Sequence, residues 1–286
     1  MHARRAVLGA NAYGKSGIRL VKVQRRGDAD DLADLTVAVR FEGEFTAAHV
    51  NGDNADVLPT DTMKNTVYAL AKDHPLADIE SFGLDLAAHF LSGNPKVTRV
   101  SVTLEEHLWE RLTVGERPHP HAFRRAGPET RVTLVTRTRE AAAVESGLQD
   151  LLILKTTQSA FSGFRRDTYT TLKETRDRVF ATSVTARWRY SSTGVSFRIV
   201  GRGVRQTLLE TFARHESESV QQTLYAMGEA VLERHAEVEE VRLSLPNKHH
   251  LLVDLSPFGL ENRNEIFVAT EEPYGLIEAT VMRSPR

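Results

Sequence analysis

Residues 65–71, with the sequence Asn-Thr-Val-Tyr-Ala-Leu-Ala, are closely similar to residues 222–228, with the sequence Gln-Thr-Leu-Tyr-Ala-Met-Gly. Apolar residues recur every three or four positions through both segments: Met63, Val67 and Leu70 in the first, and Val220, Leu224, Met227 and Val231 in the second. This spacing is typical of an amphipathic helix that packs one face against a core. The two segments therefore predict related helices in the two halves of the chain.

Stretches in which apolar and polar residues alternate flank these helices, and a period of two predicts half-buried strands. Before the helices, the stretches are residues 37–41 in the first half, and 186–190 and 195–199 in the second. The last two are joined by Ser-Ser-Thr-Gly at 191–194, which predicts a hairpin. After the helices, the stretches are residues 100–104 and 241–245. A second helix of the first half is expected around residues 78–91.

Each half is thus expected to contain two strands, two helices and two further strands. This order predicts a tandem duplication of an antiparallel α+β unit. Apolar residues become sparse between residues 138 and 147, so we place the first unit at residues 1–140 and the second at residues 141–286. A sheet with helices on one face leaves its other face to be covered, which predicts oligomerisation.

Composition excludes several classes of function. The chain has 286 residues and a net charge of −1, which gives no electrostatic reason to expect binding to nucleic acid or to an anionic membrane. The absence of cysteine excludes thiolate nucleophiles and cysteine-ligated metal sites. No apolar stretch is long enough to cross a membrane or to form a secretory signal. We therefore expect a cytoplasmic protein that acts on a small molecule.

Five polar clusters could take part in chemistry, although none is specific alone. They are Tyr13-Gly14-Lys15, Thr60-Asp61-Thr62, residues 161–167 with Arg178 further on, Ser219-Val220-Gln221, and Asn247-Lys248-His249. Taken singly, their charged and amide side chains would ordinarily be solvated surface groups. Thr60-Asp61, just before a predicted helix, would ordinarily be an N-cap. A capped helix start still directs free N–H groups outward, which is compatible with anion binding.

Taken together, the clusters resemble the urate oxidase (uricase) family in order and spacing. The matching segments are Lys15 and residues 60–66, 159–167, 172–175, 219–221 and 245–249. The resemblance extends from Tyr13 to residue 277. Two departures are Ser162, where some relatives have tryptophan, and Pro59, where others have alanine, and neither position has a chemical role. The final residues Ser-Pro-Arg are not a peroxisomal tripeptide, which supports the cytoplasmic expectation.

The resemblance implies a fold and an assembly. Each chain would contain two tandem tunnelling-fold (T-fold) units, each an antiparallel sheet with a helix pair on one face. Four chains would form a homotetramer whose sheets close into a tunnel-shaped barrel. The active sites would be shared between subunits, with Lys15 and Thr60 from one chain and the other residues from its neighbour. The implied reaction converts urate, O2 and water to 5-hydroxyisourate and hydrogen peroxide, with no metal and no organic cofactor.

The resemblance also assigns residues to substrate binding. Phe161 would stack on the purine, Arg178 would make a bidentate contact with one edge of it, and Gln221 would contact the opposite edge. Backbone N–H groups would bind the remaining edges: those of Thr60 or Asp61, and of Val220.

A second set of residues would carry the chemistry. Urate must lose a second proton to become a good one-electron donor to O2, and Lys15, Thr60 and His249 would form the relay that accepts it. Asn247, together with Thr60, would hold O2 or water above the ring.

Three other functions stay open on the sequence. A T-fold protein could bind or hydrolyse a purine or pterin without oxidase activity, although such hydrolases usually hold zinc through cysteine. His119 and His121, completed by Glu116 or His107, could hold the metal of an oxygenase, although no common metal-binding spacing supports this. A non-catalytic purine-binding oligomer is the third alternative, but it would not need the relay residues.

Overall fold

The computed structural model describes residues 6–284. The chain divides into two compact units. Unit 1 consists of the residues up to 146 together with 192–198, and unit 2 consists of residues 147–191 and those from 199 onward. Each unit combines antiparallel strands with helices, so the predicted α+β class is confirmed. No helix within the described residues is both long and apolar enough to span a membrane.

Unit 1 is built on long strands that pair with their neighbours in chain order. The strands are β1 (Ala12–Arg26), β2 (Ala29–Gly43), β3 (Val97–Val114) and β4 (Arg117–Arg137), and the helices are α1 (Thr60–Asp73) and α2 (Ile79–Gly93). Each of the pairs β1-β2, β2-β3 and β3-β4 is antiparallel. A short π-helical turn, Ala47–Asn51, lies between β2 and α1.

The core of unit 1 follows from the predicted periodicities. Residues 37, 39 and 41 of β2 and 100, 102 and 104 of β3 are buried, as alternation requires of strands with one covered face. Helix α1 buries Met63 and Val67, and α2 begins at its N-cap Asp78, whose side chain accepts the Ser81 N–H at 2.8 Å. The strands at 37–41 and 100–104 and the helix near 78–91 are therefore confirmed.

Lys22 of β1 closes the end of α1. Its Nζ donates to the main-chain oxygens of Ala71 at 2.7 Å, Lys72 at 2.9 Å and His74 at 2.7 Å. The last carbonyl groups of a helix have no partner within the helix, and they carry its partial negative charge. A lysine from the sheet thus satisfies the end of α1 and attaches the helix to β1.

Unit 2 has a similar arrangement. Its sheet contains most of β5 (Ala142–Lys155), then β6 (Phe180–Tyr190), β7 (Val238–Lys248) and β10 (Gly275–Met282) in that spatial order. Its helices are α3 (Phe197–Arg214), apart from the first two residues, and α4 (Val220–Arg234). Strand β7 pairs antiparallel with both β6 and β10. Two short strands, β8 (His250–Leu252) and β9 (Phe267–Ala269), pair with each other, and a single 3-10 turn, Ser256–Phe258, lies between them.

The predicted hairpin, with strands at 186–190 and 195–199 joined by a turn at 191–194, is wrong. Residues 197–214 form α3 instead of a strand. The buried residues of this segment are spaced by three or four positions, namely Phe197, Val200, Val204, Leu208 and Phe212, whereas Ile199 is 73% exposed. Three alternating residues are too few to specify a strand when the longer helical period continues beyond them.

Residues 65–71 and 222–228 are similar in sequence, but the helices that contain them do not occupy equivalent positions in the two units. The first segment lies in α1, the first helix of unit 1, and the second lies in α4, which precedes β7 as α2 precedes β3. Both segments are helices with one buried face, as predicted. Their likeness therefore reflects the shared pattern of a helix on a sheet rather than a matching position in the two units.

Helices α2 and α4 each precede a strand of their own unit, and each also approaches its sheet closely at a glycine. A Cβ atom built on Gly83 would lie 2.7 Å from Val135 Cγ2, and one built on Gly228 would lie 2.6 Å from Val281 Cγ2. Carbon atoms pack best at roughly 3.5–4.0 Å, so neither position has room for a side chain. The second helix of each unit thus lies directly on its strands at this point.

Candidate functional site

Lys15 and the start of α1 are held together in unit 1. Tyr13, two residues before Lys15, accepts a hydrogen bond at its hydroxyl from the Leu58 N–H at 3.0 Å. The Tyr13 ring packs edge-on against Phe45, with 4.9 Å between ring centroids. Lys15 is partly buried and lies opposite Val39 of β2, just before an irregularity in the strand pairing. These contacts bring the Lys15 end of β1 next to the segment that leads into Thr60.

The first turn of α1 has free N–H groups, but Thr60 and Asp61 are not its cap. Pro59 occupies the N-cap position and Thr60 is the first helical residue. The predicted capping role is therefore wrong, because a proline at that position leaves no side chain to accept a hydrogen bond. Within the described residues, the N–H groups of Thr60 and Asp61 have no hydrogen-bond partner, and the first helical bond runs from Met63 N to Pro59 O at 3.2 Å. The positive end of the helix dipole is thus available to an acceptor.

Asp61 has a different set of contacts. Its carboxylate binds Lys64 Nζ at 2.5 Å and accepts from Asn65 Nδ2 at 3.0 Å. The hydrogen bond and charge of Lys64, with a smaller contribution from the charge of Lys15, lower the pKa of Asp61. The side chain therefore stays ionised and directed along α1, which leaves its backbone N–H as the group open to a ligand.

Phe161 and Arg178 form the centre of the site in unit 2. An isolated bridge pairs Phe161 with Thr175, three residues before Arg178: Phe161 N donates to Thr175 O at 2.8 Å, and Thr175 N donates to Phe161 O at 3.0 Å. Arg178 Cζ lies 5.4 Å from the centroid of the Phe161 ring. Phe164 stacks on Phe161 with 5.0 Å between centroids and 14° between planes. The result is a flat aromatic surface beside a guanidinium group.

Arg178 has unused hydrogen-bonding capacity. Its Nε is buried and has no partner within residues 6–284. Desolvation by burial lowers the pKa of Arg178, but an arginine remains charged at neutral pH. A buried donor without a partner costs free energy, so a water molecule, an ion or a ligand is expected to satisfy it. The fork geometry of guanidinium favours a planar anion with two acceptors along one edge.

The first turn of α4 carries Val220 and Gln221. Ser219 is the N-cap and accepts the Gln222 N–H at 3.1 Å, while the Gln222 side chain accepts the Glu218 N–H at 2.8 Å. This reciprocal pattern closely resembles a capping box. The N–H groups of Val220 and Gln221 have no partner among the described residues, and the Gln221 side chain is exposed. An acceptor could therefore bind here as it could at the start of α1.

Hydrogen bonds place this helix start beside Phe161. Ala160 N donates to Ser217 O at 2.7 Å, and Ser217 N donates to Gln158 O at 3.0 Å. Ser217 lies two residues before the N-cap Ser219. Phe161 and Arg178 are thus in contact, and the segment that leads into Val220 and Gln221 is hydrogen-bonded to the chain next to Phe161.

Asn247 and His249 lie close together at the end of β7. Asn247 Nδ2 is 3.5 Å from His249 Nδ1. Asn247 lies opposite Thr182 of β6, whose buried hydroxyl has no hydrogen-bond partner in the described part of the chain. The main-chain oxygen of His249 accepts the Thr270 N–H at 2.9 Å, which fixes the backbone after the strand. Two side chains with both donors and acceptors are thus held side by side.

The expected site residues fall into two groups by unit. Lys15, Thr60 and Asp61 belong to unit 1, whereas the remaining six belong to unit 2: Phe161, Arg178, Val220, Gln221, Asn247 and His249. The expected relay is therefore divided, with Lys15 and Thr60 in one unit and His249 in the other.

Asp177 is a residue of this region that no motif or periodicity in the sequence indicates. Its carboxylate accepts hydrogen bonds from Thr157 Oγ1 at 2.8 Å and from Gln158 N at 2.9 Å. In the sequence, Asp177 belongs to the charged run around Arg178, a pattern that ordinarily indicates exposure. Its partners lie about twenty positions earlier with no regular element between, so no periodic signal connects them.

His119 and His121 are neighbours, with 4.6 Å between ring centroids. His107 was one candidate to complete a metal site with them. Its Nε2 lies 2.8 Å from Thr36 Oγ1 instead. Among the described residues, no group of three or more histidine, aspartate or glutamate side chains is arranged to hold a metal ion.

Comparison with known proteins gives a consistent result along the chain. The Uricase family profile matches residues 11–136 and, separately, residues 144–278. Uricase from Arthrobacter globiformis is 48% identical over 279 residues, which cover 98% of this chain and 91% of that protein. Uricase from Danio rerio is 40% identical over 280 residues, which cover 96% of this chain and 94% of that protein.

Solved structures agree with the sequence relatives. The crystal structure of uricase from Arthrobacter globiformis matches with a TM-score of 0.94 and covers 99% of this chain and 96% of that one. Urate oxidase from Bacillus sp. TB-90, at 23% identity, shares the fold with a TM-score of 0.84. The resemblance inferred from the six segments is confirmed, and so is the α+β fold with a tandem repeat. Since two relatives at 40% identity or more extend over nearly its whole length, the chain belongs to the uricase family.

Proposed function

We propose that the protein is a urate oxidase that converts urate, O2 and water to 5-hydroxyisourate and hydrogen peroxide without a metal ion or an organic cofactor. The observation that carries this proposal is the Phe161–Arg178 pair, in which a charged guanidinium whose Nε is buried and unpartnered within the described residues lies beside an aromatic ring. Urate fits such a site because it is a flat anion with carbonyl and N–H groups along its edges. Family membership makes urate the natural substrate to test first.

Substrate binding would use three kinds of contact. The purine ring would stack on Phe161, and the guanidinium of Arg178 would contact two acceptors on one edge. The Gln221 amide offers both a donor and an acceptor to the opposite edge. The N–H groups at the start of α1 and α4 would bind remaining acceptors, and the dipoles of both helices favour an anion.

Activation would require removal of a second proton from the bound urate. Lys15 in its neutral form could accept that proton through the Thr60 hydroxyl, with His249 as the further member of the relay. The resulting dianion is the better one-electron donor to O2. Asn247 would bind O2 or water next to the ring, and its position beside His249 favours that role.

The two groups of residues suggest that sites are assembled between chains. Lys15, Thr60 and Asp61 lie in unit 1 and the other contacts lie in unit 2. We propose that each site takes its unit 1 residues from one chain and its unit 2 residues from a neighbour in a homotetramer. An isolated chain would then bind urate weakly and turn it over poorly.

The first experiment is to measure O2 uptake by chelator-treated protein on addition of urate, while the near-ultraviolet absorbance of urate is followed in the same cell. O2 uptake that matches urate loss and peroxide formation is the expected result. Activity that appears only after a metal is added would contradict the cofactor-free reaction. Urate binding without O2 uptake would instead favour a T-fold protein that lacks oxidase activity.

Two substitutions separate binding from turnover. Arg178→Ala should raise KM for urate, because a hydrogen-bonded charge pair is worth roughly 1.5–3 kcal/mol, or about a factor of ten or more in affinity. Lys15→Met should instead lower kcat, since it removes the proton acceptor but no contact assigned to the purine. Arg176→Ala is the matched control, since Arg176 is exposed and close in sequence. An Arg178→Ala enzyme with unchanged KM would exclude Arg178 from the binding site.

A further inference from the structure

Asp177 connects segments that carry separate parts of the site. Its Oδ2 accepts from Thr157 Oγ1 at 2.8 Å, and its Oδ1 accepts from Thr157 Oγ1 at 3.0 Å and from Gln158 N at 2.9 Å. An ionised acceptor makes stronger hydrogen bonds than a neutral one. The chain just before Phe161 is therefore attached to the residue just before Arg178.

The bond to Gln158 acts at a point of unusual backbone conformation. Gln158 has φ of 61°, in the left-handed region that residues other than glycine seldom adopt. Such a conformation persists only when surrounding contacts hold it. Gln158 O accepts the Ser217 N–H at 3.0 Å, so the carbonyl is fixed by the segment that leads into α4 while Asp177 fixes the N–H.

Hydrogen bonds close a ring around Phe161. Thr175 pairs with Phe161 through both of its main-chain groups, at 2.8 and 3.0 Å, and Thr175 Oγ1 donates to Asp177 O at 2.7 Å. The Asp177 carboxylate then returns to Gln158, three residues before Phe161. Phe161, Arg178 and the first turn of α4 are thus connected through one acidic side chain, which itself contacts none of the groups assigned to urate.

We propose that Asp177 is a positioning residue that sets the relative placement of Phe161, Arg178 and the first turn of α4 for the purine. This inference rests on the proposed function. Loss of the carboxylate would leave each binding group present but would free Gln158 and the segment before Phe161. Preorganised contacts lose affinity when their supports relax, so the effect should appear in substrate binding more than in the chemical step.

The test compares Asp177→Ala and Asp177→Asn with Asp167→Ala. Asp167 is a matched control because it is also an exposed carboxylate that accepts from a backbone N–H and a threonine hydroxyl, but its partners Tyr169 and Thr170 lie within its own turn. Asp177→Ala should raise KM for urate about tenfold with kcat changed less than about twofold. Asp177→Asn keeps an oxygen that can accept the Gln158 N–H, so it should recover most of the affinity. Asp167→Ala should match the wild type.

Equilibrium titration with urate under anaerobic conditions measures the affinity of each of these variants without turnover. The affinities should follow the same order as the KM values.

A double-mutant cycle with Thr157→Val tests the specific contact. The Asp177→Ala effect on urate affinity should be clearly smaller in the Thr157→Val background than in the wild type. Additive effects, or an Asp177→Ala enzyme with wild-type KM, would overturn the inference while the proposed function stands. A wild-type protein that neither binds nor consumes urate would overturn both.

Discussion

Gln221 and Gln222 are adjacent amides with different tasks. Gln221 is exposed, and no contact within the described residues holds its side chain, whereas Gln222 accepts the Glu218 N–H at 2.8 Å and helps to cap α4. Gln221→Ala should raise KM for urate and leave the melting temperature unchanged. Gln222→Ala should lower the free energy of unfolding by roughly 0.5–1.5 kcal/mol with a smaller effect on KM. Steady-state kinetics and thermal melts of both variants distinguish the two roles, and equal effects on KM would contradict this division.

His74 gives the stability of unit 1 a dependence on pH. Its Nδ1 accepts the Leu76 N–H at 2.9 Å, and its side chain is 11% exposed. Burial lowers the pKa of His74 below its ordinary value of 6.5, although Asp85 and Asp78 act in the opposite direction. The unfolded chain therefore binds the proton more tightly than the folded one. The contribution of neutral His74 is complete above pH 6.5 and is lost as the pH falls through the lower, folded pKa.

The measurement for His74 is urea denaturation at neutral and mildly acidic pH. His74→Gln should make the free energy of unfolding fall less steeply as the medium becomes acidic. His89→Gln is the control, because His89 is exposed on α2 and should retain the wild-type slope. An unchanged slope in His74→Gln would show that this histidine does not carry the effect.

The C-terminal end of helix α1 is stabilised by a lysine that lies outside the helix. Lys22 Nζ donates to the oxygens of Ala71, Lys72 and His74. Lys22→Met keeps the aliphatic part of the side chain and removes these bonds, so it should reduce the free energy of unfolding by roughly 1–2 kcal/mol. Lys72→Met is the control, since Lys72 is exposed in the last turn of the same helix. Urea denaturation should place Lys72→Met near the wild type, and a similar loss in both variants would argue against capping by Lys22.

The sequence predicted those elements whose periodicity continues for several turns or residues. Alternation of apolar and polar residues at positions 37–41 and 100–104 predicts strands β2 and β3, and the helix-ending sequence Gly-Asn-Pro at 93–95 helps to locate α2. The sequence does not predict helix α3, because apolar and polar residues alternate by chance at 195–199. The capping role of Thr60 was wrong because Pro59 takes the cap position.

In the candidate site, too, residues within short sequence motifs could be predicted, whereas residues whose contacts are distant in sequence could not. Phe161 and Gln221 could be selected because each lies in a short segment that resembles a family pattern, and Arg178 because it follows the matching segment 172–175. Asp177 could not, since its function depends on Thr157 and Gln158, which folding brings to it across a stretch without helix or long strand. Hydrogen bonds of this kind leave no period or motif in a single sequence.

Assembly of the active protein can be tested by complementation. If sites are shared between chains, co-expression of Lys15→Met and Arg178→Ala chains in equal amounts should leave about a quarter of the sites with neither substitution. Activity at low urate should then exceed that of either variant alone. Co-expression of Lys15→Met with Thr60→Ala is the control, because both changes affect unit 1 and every site would lack one group. No recovery in the first pair, or an active monomer in light scattering, would contradict shared sites.

The close approach of α2 and α4 to their sheets limits how this enzyme could be engineered for heat resistance. Exchange of a helical glycine for alanine commonly stabilises a protein by about 0.4–1 kcal/mol, because it restricts the unfolded chain. At Gly83 and Gly228, the added methyl group would push a helix away from valine side chains, so a screen should reject both. Gly201 in α3 is the better choice, since a Cβ there meets only Trp188 Cζ2, at an ordinary 3.7 Å. Gly203, two residues further along α3, is excluded as well, since a Cβ there would lie 2.5 Å from His235 Cε1. Of these four helical glycines, the fold therefore forbids a side chain at three and permits one at Gly201.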